Sequence, residues 1–310
     1  MTATADLSAP PQPGRRFKVG PRVLPYLLSL PALLVCIGIL VPFFTSVYYS
    51  LQHYRLSQPW SQRMNWGETY LNLFTDSAFW NTLKVSLSYT VLTVGIELLL
   101  GLGIALLLQK RSKLNNFLSI MLLMPLMTAP ALASLMWKLM TNPNFGILSY
   151  FTTLIGFENF KWASSPDTAL FTVVVVDIWV YTPFMMILLL AGLRSLPRQP
   201  FEAAALDGVP RTFVFWRITL PMLMPYILTA SLFRMLESIQ QFDILYAMTQ
   251  GGPGDTLMAF QVAAYLDFFQ STNVGRSAAL LLVLWAITFV ISNSFIKNWL
   301  RLRARARGEA

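Results

Sequence analysis

The chain has 310 residues, 55% of them hydrophobic and 12% charged, and its mean hydropathy is +0.55. A soluble domain carries about a quarter charged residues, so this composition puts most of the chain in a bilayer and excludes a disordered, collagen-like or nucleic-acid-binding protein. The net charge of +9 takes its meaning from where the basic residues sit, and a single cysteine and histidine leave little for a disulfide, a metal cluster or a Ser-His-Asp relay.

A spanning helix needs about 20 apolar residues to cross roughly 30 Å of hydrocarbon. Six windows meet this, at about 24–51, 82–108, 117–140, 169–193, 218–247 and 277–299. They predict an all-α polytopic membrane protein with a transmembrane region over 24–300 and tails at 1–23 and 301–310. The Ala-, Pro-, Thr- and Ser-rich residues 1–14 read as a mobile tail. Arg15 and Arg16 precede an apolar run, as in a cleavable leader, but 28 apolar residues ending near Tyr48, Tyr49 and Tyr54 predict an anchor instead.

Within these windows, the stretch 85–108 contains only Glu97, 117–137 no charge, 169–193 only Asp177 and 277–296 none. The fifth is less clean: it runs uncharged from Ile218 to Phe233, then through Arg234, Glu237 and Asp243 to a Gly-Gly-Pro-Gly break at 251–254. Sixteen of the 23 Lys and Arg residues, among them Arg16, Lys110, Arg194 and Arg301, fall on one side of these spans, against Arg55, Arg63, Lys161 and Arg276 on the other. By the positive-inside rule both termini are expected in the cytoplasm. No Gly-x-x-x-x-Gly-Lys-Ser/Thr loop occurs, so any ATP used is bound by another chain, and no second six-span half is visible.

The inner loop 194–217 is the most informative segment. Residues 202–206 predict a short Ala-rich helix with Glu202 in its first turn, where the helix dipole favours a carboxylate. Gly208 supplies the positive φ that ends a helix, and Pro210 suits the first turn of the next. The expected result is a helix-turn-helix whose small Ala203 and Ala204 let another protein approach.

Glu202, Ala203, Ala204, Gly208, Ile218, Leu220 and Pro221 stand at the spacing Glu-Ala-Ala, three residues, Gly, nine residues, Ile, one residue, Leu-Pro. This resembles the signature of binding-protein-dependent ABC importer permeases. Trp179, Pro183, Phe184, Gly192, Phe242, Asp243, Tyr246 and Gly251-Gly252-Pro253 extend the likeness toward the maltose and glycerol-phosphate permease group, from about residue 80 onward. The resemblance implies that Glu202, Ala203, Ala204, Asp207 and Gly208 belong to a coupling helix docking on an ATPase subunit. It also implies a second, homologous permease subunit, two ATP-binding subunits carrying ATP and Mg, and an extracytoplasmic solute-binding protein. This chain would bind no cofactor and perform no catalysis. A plain cytoplasmic hairpin is the competing reading of the loop.

Intramembrane charges are costly and mark a bundle interior or a watery path. Arg234, Glu237, Ser238 and Gln241, at i, i+3, i+4 and i+7, are expected on one helix face. They line either the route of a polar solute or, through an Arg234–Glu237 intrahelical pair, hold the bundle together. Asp243 is placed near the outer end of that span; Asp177 and Glu97 divide between pathway polarity and interhelical bonding. Gly95, Gly101 and Gly103 read as close helix packing, the 14 methionines as adaptable packing, and Trp60, Trp66, Tyr70, Trp80 and Trp162 as an interfacial belt in which sugar stacking is the minor alternative. The expected function is a multi-pass subunit of a bacterial inner-membrane importer for a sugar or polyol. The alternatives are glycerol 3-phosphate or an oligosaccharide as cargo, or an ion channel or membrane enzyme.

Overall fold

The computed structural model describes residues 24–157 and 160–306. The expected tail 1–23 lies outside these residues, as do 307–310 of the C-terminal tail. The described chain is almost wholly helical. In order, its helices are α1 (Leu24–Ser50), α2 (Glu68–Thr75), α3 (Ser77–Leu108), α4 (Lys113–Leu122), α5 (Pro130–Met140), α6 (Ile147–Leu154) and α7 (Pro166–Ser195). After them come α8 (Gln199–Leu206), α9 (Arg211–Val214), α10 (Leu220–Ile239), α11 (Asp243–Thr249), α12 (Phe260–Phe269) and α13 (Val274–Ala306). A two-stranded antiparallel ribbon pairs β1 (Gln52–His53) with β2 (Arg63–Met64).

The chain divides into two units, 1–46 and 47–310. In the first, α1 is apolar all round, and large side chains such as Leu34, Val35 and Ile39 are exposed. A helix hydrophobic on every face belongs in lipid or against another apolar surface. The second unit is built on α3 and α7, which pack along each other and against α10.

Five helical stretches are long and apolar enough to cross a bilayer: 28–50, 77–108, 166–195, 211–239 and 274–301. The third expected span, 117–140, is not one of them. Pro125 and Pro130 lack the N–H that an α-helix interior needs, and proline disfavours helical backbone in the residue before it. Ala129 is accordingly extended, at φ −61° and ψ 129°, and α4 and α5 are separated by a tight turn over Pro125–Met127. The fifth expected span also ends early: α10 stops at Ile239, and Asp243 opens the separate helix α11, where a carboxylate in the first turn suits the dipole. The sixth expected span lies in α13, which instead runs to Ala306, past the expected boundary at 299.

One glycine sets how closely the central pair approaches. A Cβ on Gly101 of α3 would lie 2.7 Å from Met185 Cβ and 3.0 Å from the backbone nitrogen of Met186 on α7. Gly95 and Gly103, expected to pack in the same way, meet no atom within 4 Å among the described residues. Met185, Met186 and Leu189 are fully buried beside Gly101, consistent with methionine as core filler. Of the expected aromatic belt, Trp60 and Trp66 are exposed, but Trp162 is only 9% exposed and packs edge-on against Phe160.

Candidate functional site

Two places carry chemistry. The first is where α3, α7 and α10 meet, each offering one charged side chain to an interior that is otherwise apolar. Glu97, Asp177 and Arg234 are all 0% exposed. Arg234 Nε donates to Glu97 Oε2 at 2.7 Å and Nη2 to Glu97 Oε1 at 3.0 Å, a bidentate fork that fits the planar guanidinium. Nη2 also donates to Asp177 Oδ2. The Tyr181 ring lies under the guanidinium, with Arg234 Cζ 4.0 Å from its centroid, adding a cation–π contact. Taking charges out of water is costly, and only this degree of pairing makes the cluster tolerable.

The expected polar stripe therefore divides. Arg234 and Ser238, one turn apart, face inward, and Ser238 Oγ lies 2.9 Å from Thr93 Oγ1 of α3. Glu237 points away, with a side chain 43% exposed and Oε2 4.0 Å from Arg234 Nη1. The intrahelical pair is thus the longest of Arg234's three carboxylate contacts; its main partners come from other helices. Gln241 falls beyond the end of α10, 6% exposed, with no hydrogen-bond partner for Nε2 among the described residues. Asp243 is exposed at the start of α11.

The second place is the turn after α7. Pro200 sits in the first turn of α8 beside exposed Glu202. The helix closes with a Schellman arrangement, Val209 N donating to Ala204 O at 3.0 Å and Gly208 N to Ala205 O at 3.3 Å. Gly208 takes φ +65°, a conformation that costs any residue with a Cβ. Pro210 then sits just before α9 as its N-cap, rather than in its first turn. Glu202, Ala203 and Asp207 are exposed, whereas Ala204 is 6% exposed and faces its own chain, so it offers no outer surface. Leu206, which the sequence reading passed over, is 89% exposed. An isolated leucine behind an alanine run carries no periodic signal, so nothing in the sequence marked it.

By length and composition, the long helices make this a polytopic helical membrane protein. A model of the family described as the binding-protein-dependent transport system inner membrane component matches residues 97–305. The chain is 31% identical over 283 residues to the trehalose/maltose transport system permease protein MalF of Thermococcus litoralis, covering 90% of this chain and 93% of that protein. It is 31% identical over 284 residues to the sulfoquinovosyl glycerol transport system permease protein SmoG of Agrobacterium fabrum, covering 91% and 92%. A chain of a bacterial ABC transporter involved in the import of the acidic polysaccharide alginate shares the fold, with a TM-score of 0.77 at 18% identity over 90% of this chain and 96% of that one.

The protein belongs to the family of binding-protein-dependent ABC importer permeases. It is a multi-pass inner-membrane permease subunit, not a catalyst; it binds no cofactor, and the ATPase is a separate chain.

Proposed function

We propose that this chain is one of two different membrane subunits of an importer that moves a sugar or related polyol inward by alternating access. Two ATP-binding subunits sit beneath it, and an extracytoplasmic solute-binding protein delivers cargo from outside. The cargo class is supported by relatives named for trehalose/maltose and sulfoquinovosyl glycerol transport, and by the trehalose transport permease SugA of Mycobacterium tuberculosis at 31% identity. A phosphorylated polyol is the second reading, favoured by 30% identity to the sn-glycerol-3-phosphate permease UgpA of Shigella dysenteriae.

In this reading α4 and α5 together form a broken third span, giving six, and both termini are cytoplasmic in accord with the distribution of Lys and Arg. The helix α8 is the coupling helix. The observation that carries the reading is that α8 projects Glu202, Ala203 and Leu206 outward and is ended by a glycine at positive φ. A carboxylate, a small residue and an exposed leucine on one short helix suit a groove in an ATPase subunit. On the outer half, exposed Glu237, Gln241 at the end of α10 and Asp243 border the cargo path, while Arg234 with Glu97 and Asp177 stays behind it.

The test is to co-purify the ATPase subunits with Glu202→Ala and Gly208→Val and to measure hydrolysis stimulated by loaded binding protein in nanodiscs. A charge-assisted hydrogen bond is worth about 1.5–3 kcal/mol, and a Cβ at positive φ costs roughly 1–2 kcal/mol. Both variants should insert normally and lose ATPase chains or stimulation. Wild-type retention with wild-type stimulation in both would overturn the assignment.

A further inference from the structure

The inner ends of α3 and α7, with α8 and α9, enclose a groove of about 970 Å³. Its walls carry Lys110, Arg111, Arg194, Arg198 and Arg211 against a single carboxylate, Glu202. Arg194 is fixed in place: Nη2 donates to Leu108 O at 2.9 Å, at the carbonyl end of α3, where the dipole favours a cation. Its Nε is buried and has no hydrogen-bond partner among the described residues. Leu106, Leu193 and Leu196 also line the groove.

We infer that this groove binds the headgroup of an anionic phospholipid from the inner leaflet, its phosphate among the arginines and its glycerol and acyl stems along the leucines. The inference rests on the cytoplasmic placement of α8. Five cations facing one carboxylate call for an anion, and basic pockets between spans on the cytoplasmic side suit anionic lipid headgroups. The apolar wall selects a lipid over a free phosphate, which has nothing to place against leucine. The volume lies at the upper end of the roughly 300–1,000 Å³ typical of small-molecule sites, room for a headgroup with its glycerol.

The experiment uses the complete transporter in nanodiscs, made with phosphatidylcholine alone or with added phosphatidylglycerol, and a photo-crosslinkable phosphatidylglycerol probe. Wild type should label at residues 109–111 and 194–198 in preference to a phosphatidylcholine probe. The double variant Lys110→Gln/Arg111→Gln should lose labelling by about fivefold per cation removed, with ATPase subunits still bound. Equal labelling by both probes, or an unchanged double variant, would overturn the inference. So would displacement of the probe by millimolar inorganic phosphate or glycerol phosphate, which would make this a free-phosphate site. Crosslinks from the groove to an acidic ATPase segment, or loss of ATPase from the double variant, would make it a protein-docking surface and equally overturn the inference. The coupling reading is scored separately by Gly208→Val, at a residue that does not line the groove, so the failure of either is distinguishable from that of the other.

Discussion

Arg234 on α10 and Glu97 on α3, 137 residues apart in the chain, meet through two hydrogen bonds of 2.7 and 3.0 Å with neither side chain open to solvent. Asp177 on α7 closes the cluster. Three helices are thereby joined at one guanidinium.

Removing only the cation should be the worst change at this point. Arg234→Met leaves two carboxylates buried together, and breaking a buried ion pair costs about 3–5 kcal/mol. The triple replacement Arg234→Met, Glu97→Leu, Asp177→Leu should regain most of that loss, because an apolar substitute has no charge to desolvate. Thermal unfolding of the purified complex should rank wild type and the triple variant close together and the single variant far below. A single variant as stable as wild type would remove the structural role of the cluster.

Glu237 shares its helix with Arg234 but not its surroundings, since its side chain is 43% exposed. Glu237→Leu is expected to lower substrate transport severalfold while assembly and basal ATP hydrolysis persist. Transport assays in proteoliposomes beside hydrolysis rates check this. Normal transport would place the cargo path on other faces.

Asp76 caps α3, accepting from Ala78 N at 2.9 Å, and takes a hydrogen bond from Arg276 at 2.7 Å. The Ala78 N–H, then Arg276, hold its carboxyl below the usual range. A lowered folded-state value stabilises the protein above the unfolded value of about 3.9, and that stability is lost as pH falls through the folded value. Asp267, also paired with Arg276 at 3.1 Å, has its carboxyl pushed up by burial and so gives up its charge first on acidification. Asp76→Asn keeps a capping side chain but loses the charge. Its melting temperature should fall a few degrees below wild type at neutral pH and converge with it below about pH 4. A gap that persisted unchanged into acid would exclude the ion pair as its source.

The spans were legible because a bilayer imposes a long apolar run, and α3, α7 and α13 contain the runs read for them. Two breaks differ in kind. Pro125 and Pro130 announce the division between α4 and α5, and a hydropathy window averages over them. The stop after Ile239 has no proline or glycine to mark it: Gln240 caps α10, and nothing in the local sequence distinguishes that position. The charge cluster was hidden for a similar reason. Glu237 is three residues from Arg234, whereas the true partners lie 57 and 137 residues away. In the loop, by contrast, Gly208 and its positive φ were readable because the constraint is local. The inward turn of Ala204 was not, since Ala203 and Ala204 are chemically identical and only the helix phase separates them.

The continuity of α9, the π turn Phe215–Thr219 and α10 has a mechanical consequence. Together they run as one helix of 29 residues from Arg211 to Ile239, about 43 Å long at roughly 1.5 Å per residue. It begins three residues after Gly208 and carries Arg234 about 34 Å along its axis. One end adjoins the loop, and five residues before its other end the guanidinium joins it to α3 and α7. A tilt of about 10° imposed at the loop would carry the far end through roughly 7 Å if that end were free. Because Arg234 is bonded to Glu97 and Asp177, a push at Glu202 in the proposed coupling reading would swing the three helices as one block rather than tilt α10 alone.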